Sequence, residues 1–553
     1  MFDNRELISQ VAVTAAQMRD IEARIFAAGM PVAALMEKVA GLITRRVEEI
    51  CFNFGQGDKE TRRQGEYLKK IYSPYLPFSP SPPLPFSPSP HPSVGILAGP
   101  GHNGGDALVV ARELHFRGYQ VKVYCPISKL KELTSQHLQY VRSLNIPCDE
   151  SIENLQDCDF FIDGLFGFGL ERDITEPIAG AVNNLNQWRK PIFSIDVPSG
   201  LHTDTGKVLG VAVRATHTFC LGLWKLGLLE DQALEYIGEA ELINFDIQYA
   251  DVQAVLGEFP KIKRITTPFA LSSLPLPRQQ LTHKYKEGHL LLVCGSRRYS
   301  GAAILTGLAA RASGVGLLSI AVPQSLKGTM VSHLPEALII GCPETESGAI
   351  AQLQLPNNTD LNNFDAIACG PGITLDANPI LQEILDSSKP LLLDADGLNI
   401  LANMGTIQTL QKRQTSTILT PHAGEFKRLF PDIENVNLSR ILAVREAAKQ
   451  SGAIVLLKGS RTAIANSQGC VWINPQSSPA LARGGSGDVL TGLLGGLMSQ
   501  AVSRNLSIEK MVATAAWWHG SAGILAAQER TQLGVDAFTL THYLMPVLAS
   551  AKK

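Results

Sequence analysis

The sequence predicts an α/β protein built as two domains in tandem. The first observation is length, since 553 residues exceed what one core organises at roughly 100–200 residues per domain. The second is that short, nearly continuous apolar runs alternate with helical stretches twice over, as parallel strands covered on both faces require. The third is a lapse of that alternation at residues 251–284, where Pro260, Pro268, Pro275 and Pro277 gather. The expected division is a first domain over 1–252, a linker over 253–270 and a second domain over 271–553.

In the first domain Met18, Ile21 and Ile25, then Leu35, Met36, Val39, Leu42 and Ile43, recur at helical spacing, and Pro31 separates the two helices they define. Residues 56–92 interrupt it: LPFSPSP occurs at 76–82 and again at 84–90 within a Pro/Ser tract. Proline at that density favours an extended chain poor in backbone donors, so a flexible insertion is expected, with a Pro-x-x-Pro ligand as the other reading. Strands follow at SVGILAG, YQVKVYC, DFFIDGLFG, PIFSIDVPSG and THTFCLGLW, with helices at about 104–117 and through Leu138. The second domain repeats the alternation through HLLLVCGS, GLLSIAVP, DAIACGPG, PLLLDADGL, STILTPHAGE and AIVLLKGS. It closes on helices at about 487–500, 511–528 and 536–549.

Apolar residues make up 45% and charged residues 18%, a globular composition. Lys plus Arg is 49 against 51 Asp plus Glu, a net charge of −2, so no global basic field draws nucleic acid or anionic lipid. No apolar run reaches the roughly 18 residues that cross a bilayer, and MFDNRELISQ lacks the pattern of a secretory signal. A cytoplasmic protein without membrane or nucleic-acid partners is expected. The nine cysteines are scattered with no C-x-x-C pair, which fits buried thiols rather than a zinc site or a disulfide framework.

In open α/β sheets ligands bind beyond the carboxyl ends of strands, so the residues just after each apolar run carry the chemistry. Gly99-Pro100-Gly101-His102-Asn103-Gly104-Gly105-Asp106 follows SVGILA and opens a helix. Glycines admit a close phosphate and free amides at a helix start offer positive charge, so a nucleotide or anion site is expected; a tight turn without ligand is the alternative. Gly99, Gly101 and Gly104 satisfy G-x-G-x-x-G. The next strand, however, ends Val123-Tyr124-Cys125-Pro126 with no acid to hold a ribose, which argues against an ordinary dehydrogenase. Asp163 and Asp196 stand at later strand ends, placed to hold a cation or exchange a proton, or else to cap the following helix.

These three strings resemble, in order, the NAD(P)H-hydrate epimerase family, the YjeF N-terminal domain, with its N-N-G-G-D-G, D-x-x-F-G-x-G and D-x-P-S-G; the resemblance covers residues 14–248. It implies a Rossmann-like three-layer α/β/α fold that epimerises hydrated NAD(P)H. By the same resemblance His102, Asn103, Gly104, Gly105 and Asp106, with Gly167, Phe168, Gly169, Leu170, Glu171, Arg172 and Asp173, contact the hydrated cofactor. Asp196 binds it near the reacting centre and handles the proton, and Asn103, Asp163 and Ser199 hold a potassium ion. The sequence departs from the family at Ala107, for the last Gly, and at His102, where an imidazole replaces an amide that both donates and accepts.

Three strings converge in the second domain: Tyr299-Ser300-Gly301-Ala302-Ala303, Gly370-Pro371-Gly372 and Gly484-Gly485-Ser486-Gly487-Asp488. Amides of a Gly-rich turn at a helix start stabilise charge on a phosphoryl group in transfer, and Asp488 is placed to take the proton of the attacking hydroxyl. No G-x-x-x-x-G-K-[ST] occurs, so the chemistry is not of the P-loop type. G-G-x-G-D, with Thr420-Pro421-His422-Ala423-Gly424-Glu425 and Lys458-Gly459-Ser460-Arg461-Thr462, resembles the ribokinase-like fold and, within it, the ADP-dependent NAD(P)H-hydrate dehydratases over residues 271–547. That resemblance implies that Ala303, Gly372 and His422 line the pocket for the hydrated nicotinamide, and that Lys458, Gly459, Ser460, Arg461, Thr462 and Gly487 bind the adenine nucleotide. Asp488 touches the substrate hydroxyl as base, and Glu425 and Asp394 position a hydrated magnesium ion. Trp517-Trp518 with His519 reads as helix core.

Together the two resemblances imply one chain that epimerises the R and S forms of hydrated NADH and NADPH. It then dehydrates the S form at the expense of ADP, releasing AMP and phosphate. ADP and ATP share the phosphates that these loops read, so resemblance alone favours ADP. The alternative is a ribokinase-like kinase for a vitamin precursor or sugar, fused to a non-catalytic nucleotide-binding module. A homo-oligomer is compatible with either.

Overall fold

Along the strand Ser93–Ala98 (β1), Val94, Ile96 and Ala98 enter one hydrophobic core and Leu97 the opposite one, the period-two alternation of a sheet buried on both faces. β1 belongs to the first of two units, Met1–Pro260 and Lys261–Lys553, of a computed structural model that describes residues 4–60, 92–434 and 439–550. Six further strands join β1: Gln120–Tyr124 (β2), Cys148–Asp149 (β3), Phe160–Gly164 (β4), Ile192–Ile195 (β5), His217–Leu221 (β6) and Glu239–Ile243 (β7). All pair in parallel, in the order β3-β2-β1-β4-β5-β6-β7. The order reverses between β1 and β4, and a crevice opens where their carboxyl ends diverge.

Helices Ala15–Ala27 (α1), Val32–Glu60 (α2) and His102–Phe116 (α3) cover one face through Met18, Ile21, Leu35, Met36, Val39, Ile43, Leu108 and Ala111. Helix Ile178–Gln187 (α4) covers the other through Ala181, Val182 and Leu185, completing three layers. Thr14 fixes the start of α1 by a capping box: its hydroxyl accepts from Gln17 N and the Gln17 side chain accepts from Thr14 N. Helix α2 carries on to Glu60, into the stretch expected as an insertion from residue 56; residues 61–91, with both LPFSPSP copies, lie outside the described residues.

One expected strand divides. THTFCLGLW is continuous in apolar character, but Gly222 adopts φ +72 and β6 ends at Leu221. Trp224–Lys225 then leaves the sheet and pairs in parallel with Ala12–Val13.

The second sheet comprises Ile262–Arg264 (β8), His289–Val293 (β9), Leu317–Pro323 (β10), Leu338–Cys342 (β11), Ala366–Cys369 (β12), Leu391–Leu393 (β13), Thr417–Leu419 (β14), Ile454–Leu457 (β15), Thr462–Ala465 (β16) and Val471–Asn474 (β17). Their order is β8-β17-β16-β15-β14-β13-β12-β9-β10-β11, with reversal between β9 and β12. This is the second α/β unit that the alternation of apolar runs predicts. Only β16 runs against its neighbours, and apolar runs alone do not announce that direction. Residues 253–270 are structured: they hold the end of helix Tyr249–Leu256, then β8, parallel to β17, and the start of helix Thr267–Ser273.

Helices Ser300–Ala312 (α5), Asp396–Met404 (α6), Ala423–Leu429 (α7), Arg440–Ser451 (α8), Ser486–Ser503 (α9), Ile508–Arg530 (α10) and Ala537–Ser550 (α11) surround this sheet. Trp517 and Trp518 on α10 are buried in its core, as read from the sequence. All nine cysteines are free thiols, and among the described residues no single helix is long and apolar enough to cross a membrane.

Candidate active sites

The first site grows from the turn between β1 and α3. A side-chain carbon on Gly99 would lie 1.6 Å from the Leu165 carbonyl oxygen, and one on Gly104 would lie 1.9 Å from the Gly99 carbonyl oxygen. Gly99 lets the β1 and β4 turns interlock and Gly104 lets α3 start tight against its own turn, whereas Gly101 has open space around it and lines a cleft. No side chain caps α3, which leaves its first amides available to an anion.

Below that turn Asp163 is fully buried at the end of β4. Its Oδ1 accepts from Ser199 Oγ at 2.6 Å and Leu165 N at 3.3 Å, and its Oδ2 from Ser194 Oγ at 2.8 Å and Ser199 N at 2.9 Å. Burial raises its pKa although those four hydrogen bonds pull the other way. Ser199 Oγ also accepts from Phe166 N, and the Asn103 amide reaches the adjoining Gly167, with its Nδ2 buried and unpartnered.

Asp196 follows β5 in a left-handed conformation, φ +68, the kind of local strain that a functional site retains. Its Oδ2 accepts from Phe168 N at 3.2 Å, and its Oδ1 lies 2.5 Å from Lys225 Nζ, in a pair whose side chains are 4% and 1% exposed. Burial works against the Lys225 charge, yet Asp196, joined by Cys220 and Glu22, holds the lysine above its ordinary pKa. Two more carboxyls face the same space. Burial pushes Glu22 up to about 7, against the pull of Lys225, and raises Asp106 well above the carboxylate range, with Asp196 and Glu22 adding repulsion. His102, Asn103, Asp106, Gly167–Asp173 and Asp196 all line this cleft of about 1380 Å³, which exceeds the roughly 300–1,000 Å³ of a typical small-ligand pocket. Gly104 and Gly105 are buried behind it, and Glu171 pairs with Arg19 at 3.0 Å.

The second site lies where β9, β12 and β13 end. A side-chain carbon on Gly370 would fall 1.8 Å from the Asp394 carbonyl oxygen, so the turns after β12 and β13 touch through bare backbone. Asp394 is buried, with Oδ1 at 2.8 Å from Lys458 Nζ and Oδ2 accepting from Thr491 Oγ1 at 2.7 Å. Burial opposes the Lys458 charge too, but Asp394 keeps its pKa raised. A carbon on Gly487 would stand 3.4 Å from Lys458 Nζ, which sets this ion pair beside the first turn of α9. Asp488, in that turn, is pushed up to about 7 by burial, with repulsion from Asp394 and attraction to Lys458 following.

The other expected residues divide by role. His422 Nδ1 accepts from Gly424 N and Glu425 N while Glu425 Oε2 accepts from His422 N, a capping box that opens α7 and leaves the His422 side chain 57% exposed. Arg461 is buried and donates to the Pro475 carbonyl oxygen; Gly459 and Ser460 are exposed, and Thr462 Oγ1 bonds the Gly459 carbonyl. Ala303 is fully buried against Gly295, and Gly372 sits over Tyr299 and Ala302.

Residues 33–227 match the family described as YjeF-related protein N-terminus, and residues 290–546 match NAD(P)H-hydrate dehydratase. The bifunctional NAD(P)H-hydrate repair enzyme Nnr of Synechocystis sp. is 48% identical over 97% of this chain and 94% of its own length. That of Thermosynechococcus vestitus is 47% identical over 98% and 97%. The chain belongs to the bifunctional NAD(P)H-hydrate repair enzymes. A solved ADP/ATP-dependent NAD(P)H-hydrate dehydratase from Bacillus subtilis, co-crystallized with ATP/Mg2+, aligns at 31% identity and a TM-score of 0.45, covering 52% of this chain and 97% of that one.

In this repair-enzyme chain, sequence reasoning passes over Lys225, Glu22 and the contact of His519 with Ser486. Lys225 had a signal: it is the one charge inside the apolar run LGLWKLGLL, and a lysine in such a place needs a buried partner. His519, pushed down to about 4 by burial, has Nε2 3.0 Å from the Ser486 carbonyl oxygen. Neutral, it donates there and steadies the first turn of α9, a contact that no spacing encodes.

Proposed function

We propose that this chain repairs hydrated NAD(P)H, epimerising it in the first unit and dehydrating the S form in the second with ADP as phosphoryl donor. The observation that carries the reading is Asp488, a carboxyl near neutrality at the start of a helix whose preceding Gly484–Gly487 turn offers backbone amides to a phosphoryl group. Asp488 takes the proton of the ring hydroxyl as that oxygen attacks the terminal phosphorus of ADP, and AMP leaves. Phosphate is then a good leaving group, and its departure restores the dihydronicotinamide. Lys458 to Thr462 and Gly487 hold the nucleotide; Gly372, His422 and Asp488 face the substrate, with Ala303 behind them.

In the first unit Asp196 handles the proton at the hydrated carbon, with His102 to Asp106 and Gly167 to Asp173 around the cofactor. Oxygens of Asp163 and Ser199, with the Asn103 amide turned so that its oxygen replaces the unpartnered nitrogen, would hold potassium, the ion taking the place of hydrogen bonds that Asp163 and Ser199 make to each other and to backbone amides. Bound there, potassium would supply positive charge beside those residues. Asp394 and Glu425 fit direct magnesium ligation poorly, since Asp394 is engaged by Lys458 and Thr491 and Glu425 by the α7 cap. Their contact with a hydrated magnesium ion would run through its water. Nine free thiols suit work in the reducing cytoplasm.

The test supplies a mixture of hydrated NADH epimers with ADP, ATP or neither, following near-UV absorbance and each epimer by chromatography. Full recovery of NADH from both epimers with one nucleotide is expected. Recovery of the S form alone removes the epimerase half of the reading, and a stable phosphorylated product with no NADH replaces the dehydratase by a kinase.

A further inference from the structure

The cleft of the first unit holds more titratable groups than that reading uses. Glu22 from α1, Asp106 from α3, Asp196 beyond β5 and Lys225 from the strand paired with Ala12–Val13 all line it. Lys225 is committed to one of the three carboxyls: its Nζ lies 2.5 Å from Asp196 Oδ1 and donates to the Leu221 carbonyl oxygen at 2.5 Å. Glu22 is half-buried in the cleft wall, and no ion pair or hydrogen bond to its side chain forms among the described residues. One carboxyl is thus neutralised by a fixed ammonium and another stands in the same space with its proton at its disposal.

We propose that Glu22 is the second proton-transfer residue of the epimerase, a general acid working opposite Asp196 as base. This rests on the epimerase reading of the cleft. Inversion at the hydrated carbon by loss and return of water needs one group to give a proton and another to take one. The carbon–oxygen bond breaks as Glu22 protonates the hydroxyl, which leaves as water while the ring nitrogen lone pair closes a C=N bond. Water then adds to the other face, the C=N pair returns to nitrogen, and the surplus proton passes to Asp196. Glu22 ends as carboxylate and Asp196 as acid; the reverse passage, or exchange with solvent through the half-buried Glu22, resets both.

The charges around Glu22 favour this division of labour. Burial is the largest influence and keeps its proton on; Lys225 and Lys131 pull the proton off and Asp196 holds it, so the acid form is present near pH 7. Arg19, His102, Lys129, Glu171, Arg172, Asp173 and Glu176 are the remaining charged and titratable groups of the cleft wall, and on the far side of α1 Arg24 is turned away to Asp251 at 3.4 Å.

The decisive experiment uses the full chain with Glu22→Gln and follows epimerisation of hydrated NADH against pH. ADP-dependent dehydration of the S epimer by the same preparation is the internal control. The expected result is a fall in kcat for epimerisation of about 10²-fold or more with KM little changed, and absence of the alkaline limb near pH 7 expected of the wild type. Near-normal kcat with the limb intact overturns the proposal, as does an equal loss confined to Asp106→Asn. If Glu22→Gln unfolds the first unit, Glu22→Asp decides: a displaced limb supports the assignment and an unmoved one removes it. A wild-type chain that does not epimerise at all defeats the underlying reading instead.

Discussion

Both units place an aspartate at a strand end and bury a lysine against it, yet they use the pair differently. Asp196 meets Lys225 at 2.5 Å and is itself the residue proposed to move a proton. Asp394 meets Lys458 at 2.8 Å and is held there by Thr491 as well, while the proposed base, Asp488, stands apart in the adjoining helix turn with its pKa pushed up to about 7. Each strand end also carries a left-handed non-glycine residue, Asp196 itself at φ +68 and Ala395, next to Asp394, at φ +49. The same local device therefore fixes a charge in both sites. The proposed chemistry depends on which neighbouring carboxyl is left without an ion pair among the described residues: Glu22 in the first unit, Asp488 in the second.

The largest expected effect breaks one side of the comparison alone. Asp488→Asn should lower dehydratase kcat by about 10²–10⁴-fold while nucleotide binding, read by calorimetry, and epimerisation persist. A mutant with near-normal turnover removes Asp488 as base. Next, Lys225→Met strands Asp196 as an unpaired buried charge and should cost the first unit about 3–5 kcal/mol, seen as a lowered first transition in a thermal scan with the second transition unmoved. Lys458→Met should cost the second unit less, because the Lys458 side chain is 23% exposed where that of Lys225 is 1%.

A subtler contrast lies in pH. A base near 7 must lose its proton to work, so dehydratase kcat should rise about tenfold per pH unit below 7 and level off above it, whereas epimerase kcat should fall above 7 as Glu22 ionises. Two profiles of the same slope would mean that the units share one proton logic after all. The smallest effect expected is that of Thr14→Ala, which removes the α1 capping box and should lower the first transition by about 1 kcal/mol without altering either pH profile.

Much of each site was legible because Gly-rich turns and strand-end aspartates are contiguous strings that fall where an α/β sheet binds ligands. Gly99 to Asp106, Asp163, Asp196 and Gly484 to Asp488 all lie at strand ends or helix starts. Partnerships were not legible. Asp394 and Lys458 were assigned to magnesium and nucleotide, and only the parallel register of β13, β14 and β15 reveals them as an ion pair. Glu22 and Lys225 come from segments about 200 residues apart and meet through a two-residue bridge too short to leave a pattern. His422 and Glu425 were read for chemistry, and the capping box that joins them is a local motif that the T-P-H-A-G-E string already contained.

The bridge between Ala12–Val13 and Trp224–Lys225 also orders events in time. A ribosome delivers residue 12 long before residue 225, and the lysine that charges Asp196 takes its place only when the end of the unit returns to its beginning. The glycine turn and both strand-end aspartates can assemble earlier, but the cleft stays without its fixed ammonium until then. Nascent chains cut short before Trp224 should therefore bind little and turn over nothing, a safeguard that the thread order of the fold provides without any added segment.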